Sequence, residues 1–190
     1  SIIGKLHPTE LTMIPFQILS WEDVKKTISK PQVVKVSEKD FREFQLPIPG
    51  LWKKVMASES TPGLSEKNRD KSFPARTHVI GIIDDSINER IVYLKKEVIA
   101  KKVVVNQDSD FFLVGMENTV NAFKSKINNS KLNISLEGTE IIDLNSDTHW
   151  NIRGKYISGS LQENLEPIAI SDEYWFSWKK FHNNSKLIRL

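Results

Sequence analysis

Asp110-Phe111-Phe112-Leu113-Val114-Gly115-Met116 runs into Glu117-Asn118 and then into Thr119-Val120-Asn121-Ala122-Phe123-Lys124-Ser125-Lys126. Two segments rich in aromatic and β-branched residues, parted by two turn formers, predict a β-hairpin. The neighbouring sequence continues the pattern. Upstream, His78–Ile83 and Glu89–Leu94 read as strands joined by Asp84-Asp85-Ser86-Ile87-Asn88, and Val98–Val105 is β-branched. Downstream, Leu132-Asn133-Ile134-Ser135-Leu136 alternates strictly and predicts a half-buried strand. Glu140–Leu144, His149–Ile152 and Lys155–Ser158 follow as short strands separated by Asn, Asp and Gly turns. Helices are expected at the two ends of the chain, over residues 20–29 and 172–181. Ser20 caps the first, and Ser171 or Asp172 the second. A further short helix fits Asp40–Phe44. The fold class is therefore α+β, predominantly antiparallel β with two short helices.

Composition sets the outer bounds. The chain has 190 residues, 39% of them hydrophobic and 27% charged, which reads as soluble, globular and β-leaning. It contains no cysteine, so disulfides, thiolate metal sites and cysteine nucleophiles are excluded. No apolar run reaches the roughly 18 residues of a membrane-spanning helix, and no transmembrane segment is expected. The net charge is +3. Its lysines fall in doublets beside acidic or apolar residues, such as Lys95-Lys96 and Lys101-Lys102. That reads as a solvated surface rather than a nucleic-acid footprint, so nucleic acid is not expected as a partner.

The two ends of the chain match at an offset of 154 residues. Leu11 falls on Leu165, Ile14 on Ile168, Trp21 on Trp175 and Lys25-Lys26 on Lys179-Lys180; Val33-Val34-Lys35-Val36 falls on Leu187-Ile188-Arg189-Leu190. An internal repeat of a β-rich module follows. Residues 1–36 are the tail of a first module, 37–77 a linker or excursion punctuated by Pro47, Pro49, Pro62 and Pro74, and 78–190 a complete second module. The repeat predicts that Trp21 and Trp175 occupy equivalent core sites, with a strand over residues 32–36. The polar stretch 58–72 is expected to be the most mobile part of the chain. Ser1 is expected to be a processed terminus or a truncation point.

Phe73-Pro74-Ala75-Arg76-Thr77-His78-Val79-Ile80-Gly81-Ile82, Thr148-His149-Trp150-Asn151-Ile152-Arg153-Gly154, Ile157-Ser158-Gly159-Ser160-Leu161 and Tyr174-Trp175-Phe176-Ser177-Trp178 with Phe181-His182 resemble domain-of-unknown-function family 3179. These are prokaryotic proteins, many exported or lipid-anchored, and the resemblance implies an extracytoplasmic location, periplasmic or cell-surface. Two features depart from the family pattern. A Cys-Pro-x-Cys segment common in the family's first half is absent. Asn106-Gln107 replaces the usual Asn-Asp, and Asp108, Ser109 and Asp110 stand where glycines usually follow.

No phosphate-binding glycine loop or nucleophile elbow is present, and the four histidines, His7, His78, His149 and His182, form no ligand pair at metal spacing. The candidate ligand-binding residues are Asn106, Asp108, Asp110, Asp143, Asp147, His149 and Trp150, polar groups concentrated at strand ends. Asp143 and His149 are the metal candidates; oxygen-rich loops suit calcium better than a transition metal. The same residues are ordinary turn formers. Three functions are open. One is a non-catalytic extracytoplasmic binding or accessory module, whose partner is another protein or the upstream half of the same polypeptide. The second is an enzyme or metal-handling protein with a site between the repeats. The third is a carbohydrate-binding module using Trp150 or Trp175. The residues lean away from an enzyme, because no general acid/base pair stands out.

Overall fold

The computed structural model describes residues 21–43, 49–59, 69–83, 87 and 89–190. The chain is mainly antiparallel β. One sheet has the order β12-β1-β2-β13, formed by Ile170–Tyr174, His78–Ile82, Ile91–Leu94 and Lys186–Ile188. Its pairs are antiparallel except β13, which lies parallel to β2. A second sheet, β3-β4-β5, comprises Val103–Asn106, Phe111–Met116 and Thr119–Lys124. A third has the order β11-β10-β9-β8, from Tyr156–Ser158, Thr148–Asn151, Glu140–Asp143 and Ile134–Glu137. Between the second and third sheets in sequence, β6 (Lys126–Ile127) and β7 (Ser130–Lys131) form a small hairpin.

The expected hairpin forms around Glu117-Asn118, with Phe112 opposite Phe123 and Leu113 opposite Ala122. Both of its faces are covered. Phe111, Leu113, Val120 and Ala122 join Ile80, Ile82, Ile91 and Tyr93 of the first sheet in one core. Phe112, Val114 and Phe123 join Ile141, Trp150, Ile152 and Leu165 in a second. Alternation along β4 thus assigns successive residues to different cores. A third core lies on the other side of the first sheet, where Val79, Val92 and Leu94 meet Trp175 and Trp178.

The two helices expected at the chain ends are present as α1 (Trp21–Thr27) and α5 (Trp175–Phe181), each seven residues long and each beginning at the tryptophan of the 154-residue match. Their surroundings differ. Trp178 is fully buried and Trp175 nearly so, whereas Trp21 is 53% exposed. Residues 32–36 form no strand, and Val33, Val34 and Val36 are exposed. Among the described residues no sheet lies under α1 as the first sheet lies under α5, and the two tryptophans do not occupy equivalent core sites there. The strand expected around Leu11–Ile14 and residues 60–68 of the stretch 58–72, expected to be mobile, lie outside the described residues.

Other boundaries shift for identifiable reasons. The closing helix starts at Trp175 rather than Asp172, because residues 172–174 continue β12 against His78–Ile80. The Trp175 N–H donates to the Thr77 carbonyl at 2.8 Å, and no side chain caps the helix. Three further helices are described, one of them expected. Glu38–Glu43 (α2) lies close to the expected Asp40–Phe44 and is capped by Ser37, whose Oγ accepts the Asp40 N–H. Pro49–Ala57 (α3) falls within the excursion. Lys95–Lys101 (α4) takes the first half of the stretch read as β-branched. It buries Val98 and ends at Lys102 with φ 62°, so only Val103–Asn106 is strand. A salt bridge of 2.6 Å from Lys95 Nζ to Asp172 Oδ2 ties α4 to β12.

At Gly81, a methyl group would lie 1.9 Å from the Trp178 ring, so the helix sits on this sheet only because the strand has no side chain there. Trp178→Ala is expected to cost about 3–5 kcal/mol, the range for large aromatic truncation in a core. Gly81→Ala should also destabilise, through overpacking. Trp21→Ala should stay within about 0.5 kcal/mol, as at an exposed site. Urea denaturation of the three variants checks the contrast; equal losses at Trp21 and Trp178 would contradict it.

Candidate functional site

The candidate residues fall in two connections. The first joins β3 to β4. Asn106 Nδ2 donates to the Tyr93 hydroxyl at 3.0 Å, and Asn106 Oδ1 accepts the Ser109 N–H at 3.0 Å. Asp110 adopts φ 49°, a left-handed conformation that aspartate tolerates better than most residues. This closes the turn where the family pattern uses glycine. The Asp110 carboxylate accepts from Lys126 Nζ at 2.5 Å, and its carbonyl accepts the Ser125 N–H at 2.8 Å. Asp108 is exposed. The Tyr93 phenol beneath this loop is pushed above its ordinary range, chiefly by burial and further by the Asp108 charge.

The second connection joins β9 to β10. Asp143 is 2% exposed. Its Oδ1 accepts the Asn133 N–H at 2.6 Å; its Oδ2 accepts the Ser146 N–H at 3.1 Å and the Ser146 hydroxyl at 2.5 Å. The carboxylate therefore binds β8's approach to the turn it belongs to. Thr148, fully buried, pairs with Asp143 across the ladder and accepts the Leu161 N–H at 3.2 Å. Trp150 is fully buried in the second core, and its indole N–H donates to the Glu163 carbonyl at 2.7 Å.

Register separates the two metal candidates. Asp143 pairs with Thr148 and His149 with Ile142. Adjacent ladder positions point to opposite faces of a sheet, so Asp143 looks inward beside Ile141 and Trp150 while His149 stands on the outer face. One ion cannot take both. Among the described residues, no three His, Asp or Glu side chains converge as a metal would need. The sugar platform is likewise not formed at the two tryptophans named for it. Both are buried, and Trp175 also packs edge-on against Phe73 while its N–H faces Asp70 Oδ1 at 3.1 Å.

What the outer face does bring together is His149 with two acids. Its Nδ1 lies 2.9 Å from Glu140 Oε2 and its Nε2 3.4 Å from Asp147 Oδ1. The hydrogen bond to Glu140 has the largest effect and holds the imidazole above its usual range; burial opposes it, and the Asp147 carboxylate adds to the rise. Glu140 escaped the sequence reading. Its signal was a carboxylate two ladder positions from His149 on the facing strand, which needs the register to be seen. With a carboxylate at each ring nitrogen, His149 favours the imidazolium and is unlike a free base waiting for a substrate proton.

The folded-state pKa of His149 is raised, so the stabilisation is fully present below the unfolded value of about 6.5 and is lost as pH rises through the folded value. The imidazole Cε1–H resonance should titrate with a midpoint above that of a model peptide, and Glu140→Gln should bring it back down. A midpoint insensitive to Glu140→Gln would show that the pair does not form. Asp143→Ala, by contrast, removes the charged acceptor of the Asn133 N–H and of the Ser146 N–H and hydroxyl and should cost about 1.5–3 kcal/mol, as loss of hydrogen bonds to a charged group does.

A family model described as "Protein of unknown function (DUF3179)" matches residues 1–185, and the chain belongs to that family. No curated protein and no solved structure matches it.

Proposed function

We propose that this member of the DUF3179 family is a non-catalytic, extracytoplasmic binding or accessory module that engages a protein partner. The observation that carries the reading is the apolar surface of the segment 21–41. Trp21, Val33, Val34, Val36 and Phe41 are all exposed there, Val34 to 91%. Large hydrophobic residues grouped in this way mark interaction surfaces far more often than the same residues scattered singly. Residues 31–37 are neither helix nor strand, and the valines sit in a β-branched run whose match at the 154-residue offset, Leu187-Ile188, belongs to the edge strand β13. Such a run suits addition to an open sheet edge, with main-chain hydrogen bonds supplying affinity and alternate valines specificity. The extracytoplasmic placement rests on the resemblance to exported and lipid-anchored members.

The competing metal-handling reading is separated by experiment. The purified chain is titrated with calcium and with zinc and then heated. A bound ion at 100 times its Kd adds roughly 2.7 kcal/mol of stability; the binding-module reading expects no shift with either. A shift that vanishes in His149→Ala would replace it by the metal-handling alternative. The partner surface itself is tested with the triple variant Val33→Ser, Val34→Ser, Val36→Ser. It should keep the wild-type melting temperature and lose binding to the partner identified by affinity capture and re-tested as a purified protein. Undiminished binding by the triple variant would exclude this segment as the contact.

A further inference from the structure

The positive charge of the chain is not evenly spread. Residues 24–37 hold four lysines, Lys25, Lys26, Lys30 and Lys35, and no Asp or Glu, while the other residues hold 23 basic and 24 acidic side chains. The net excess of +3 therefore lies on the stretch that also exposes Val33, Val34 and Val36, to 73, 91 and 56%. Lys25 and Lys26 have an ordinary place near the C-terminal end of α1, where cations are favoured. Lys30 and Lys35 stand in the non-helical segment beyond it, exposed, and neither has an ion-pair or hydrogen-bond partner among the described residues. The acids that follow are turned to partners in α2 or its cap. The Ser37 hydroxyl donates to Asp40 Oδ2 at 2.6 Å, and Glu38 Oε2 lies 3.5 Å from the Arg42 guanidinium.

Extended pairing would sort these side chains. Alternation puts Val34 and Val36 on one face of the run and Val33 and Lys35 on the other. One face is then apolar and the other carries a cation. That pattern selects its occupant. A second copy of the run, paired in register, would bring Lys35 beside Lys35, and like charges opposed across a ladder destabilise it. A strand with a carboxylate at that position turns the repulsion into attraction. A lipid surface would also supply negative charge, but the main chain of 32–36 belongs to no ladder. Its N–H and C=O groups would stay unpaired in hydrocarbon, whereas a strand edge pairs them.

We propose that the partner of residues 32–36 is an acidic edge strand: a protein sheet edge with apolar residues beside Val34 and Val36 and with Asp or Glu facing Lys35 and Lys30. The proposal rests on the protein-partner reading and names the chemistry of that partner. The test uses the whole chain and follows the amide resonances of residues 32–37 by NMR. The probes are three synthetic strand peptides, alternating Val with Glu, with Gln or with Lys, and vesicles of phosphatidylglycerol. The Val/Glu peptide should shift these amides saturably, bind more tightly than the Val/Gln peptide and weaken as salt is raised. The Val/Lys peptide should leave them unmoved. Lys30→Gln and Lys35→Gln, at exposed positions, should each weaken the Val/Glu peptide by roughly threefold, as loss of one exposed ion pair does, and leave the Val/Gln peptide unchanged. Equal affinity for the three peptides, or Val/Glu affinity that both lysine variants retain, would overturn the acidic partner and leave strand pairing in place. Shifts with the vesicles and with no peptide would overturn it in favour of a lipid surface, and no shift with any probe would overturn it outright. Failure of the protein-partner reading itself shows separately, as undiminished partner binding by the triple valine variant.

Discussion

Burial of β4 on both faces is the constraint from which the arrangement follows. Phe111 and Leu113 belong to one core, Phe112 and Val114 to another. A strand with two apolar faces needs a layer on each side. The β12-β1-β2-β13 sheet covers the first and the β11-β10-β9-β8 sheet the second. Four consecutive large side chains, at about 1.5–3 kcal/mol each for full burial, stabilise the layering more than any polar contact in the molecule. They also explain why Asn121, buried opposite Val114, donates its amide to the Ile152 carbonyl at 2.8 Å. A polar group carried into that second core has to bring a partner with it.

The outer sheet faces the same demand on its far side, and α5 meets it. Val79, Val92 and Leu94 point away from the first core and would be exposed without Trp175 and Trp178. Seven residues are too few for an isolated helix to be stable in water, so α5 exists because of its packing. This explains how two helices of equal length can begin at the same place in matched segments and have different environments. α1 has the same opening tryptophan, but among the described residues no strand pair lies beneath it.

Local sequence disclosed the parts governed by short-range rules. The Phe111–Lys124 hairpin was legible because a two-residue turn interrupts two β-rich runs, and β8 to β10 were legible from alternation and turn residues. The failures have one cause in common: a tertiary contact outweighed propensity. Val98 and Ile99 carry β-branched side chains, but α4 packs Val98 into the first core and becomes helix. Residues 172–174 look like a helical first turn with acids in it, but they complete a ladder with His78–Ile80. At the candidate site, Asn106, Asp108, Asp110, Asp143 and Asp147 stand at or between strand ends, whereas His149 and Trp150 lie inside β10. What could not be read was the register, which sends Asp143 inward to three donors and leaves His149 outside with Glu140.

His149 and His182 show how little residue type decides about chemistry. His149 lies within β10 and His182 directly follows α5, and both are only partly covered. One meets a carboxylate at each ring nitrogen and is driven toward the charged form. The other lies on an indole beside a guanidinium and is driven toward the neutral form. A charged imidazole with its partners in place has completed its electrostatics within the chain and contributes to stability. A neutral imidazole packed on an indole contributes through contact instead: the His182 ring lies on the Trp178 ring with centroids 4.1 Å apart. The distinction comes from Glu140 on β9, 9 residues from His149, and from Trp178 and Arg90, the latter just before β2 and about 90 residues from His182. It therefore belongs to the fold and not to the residue type.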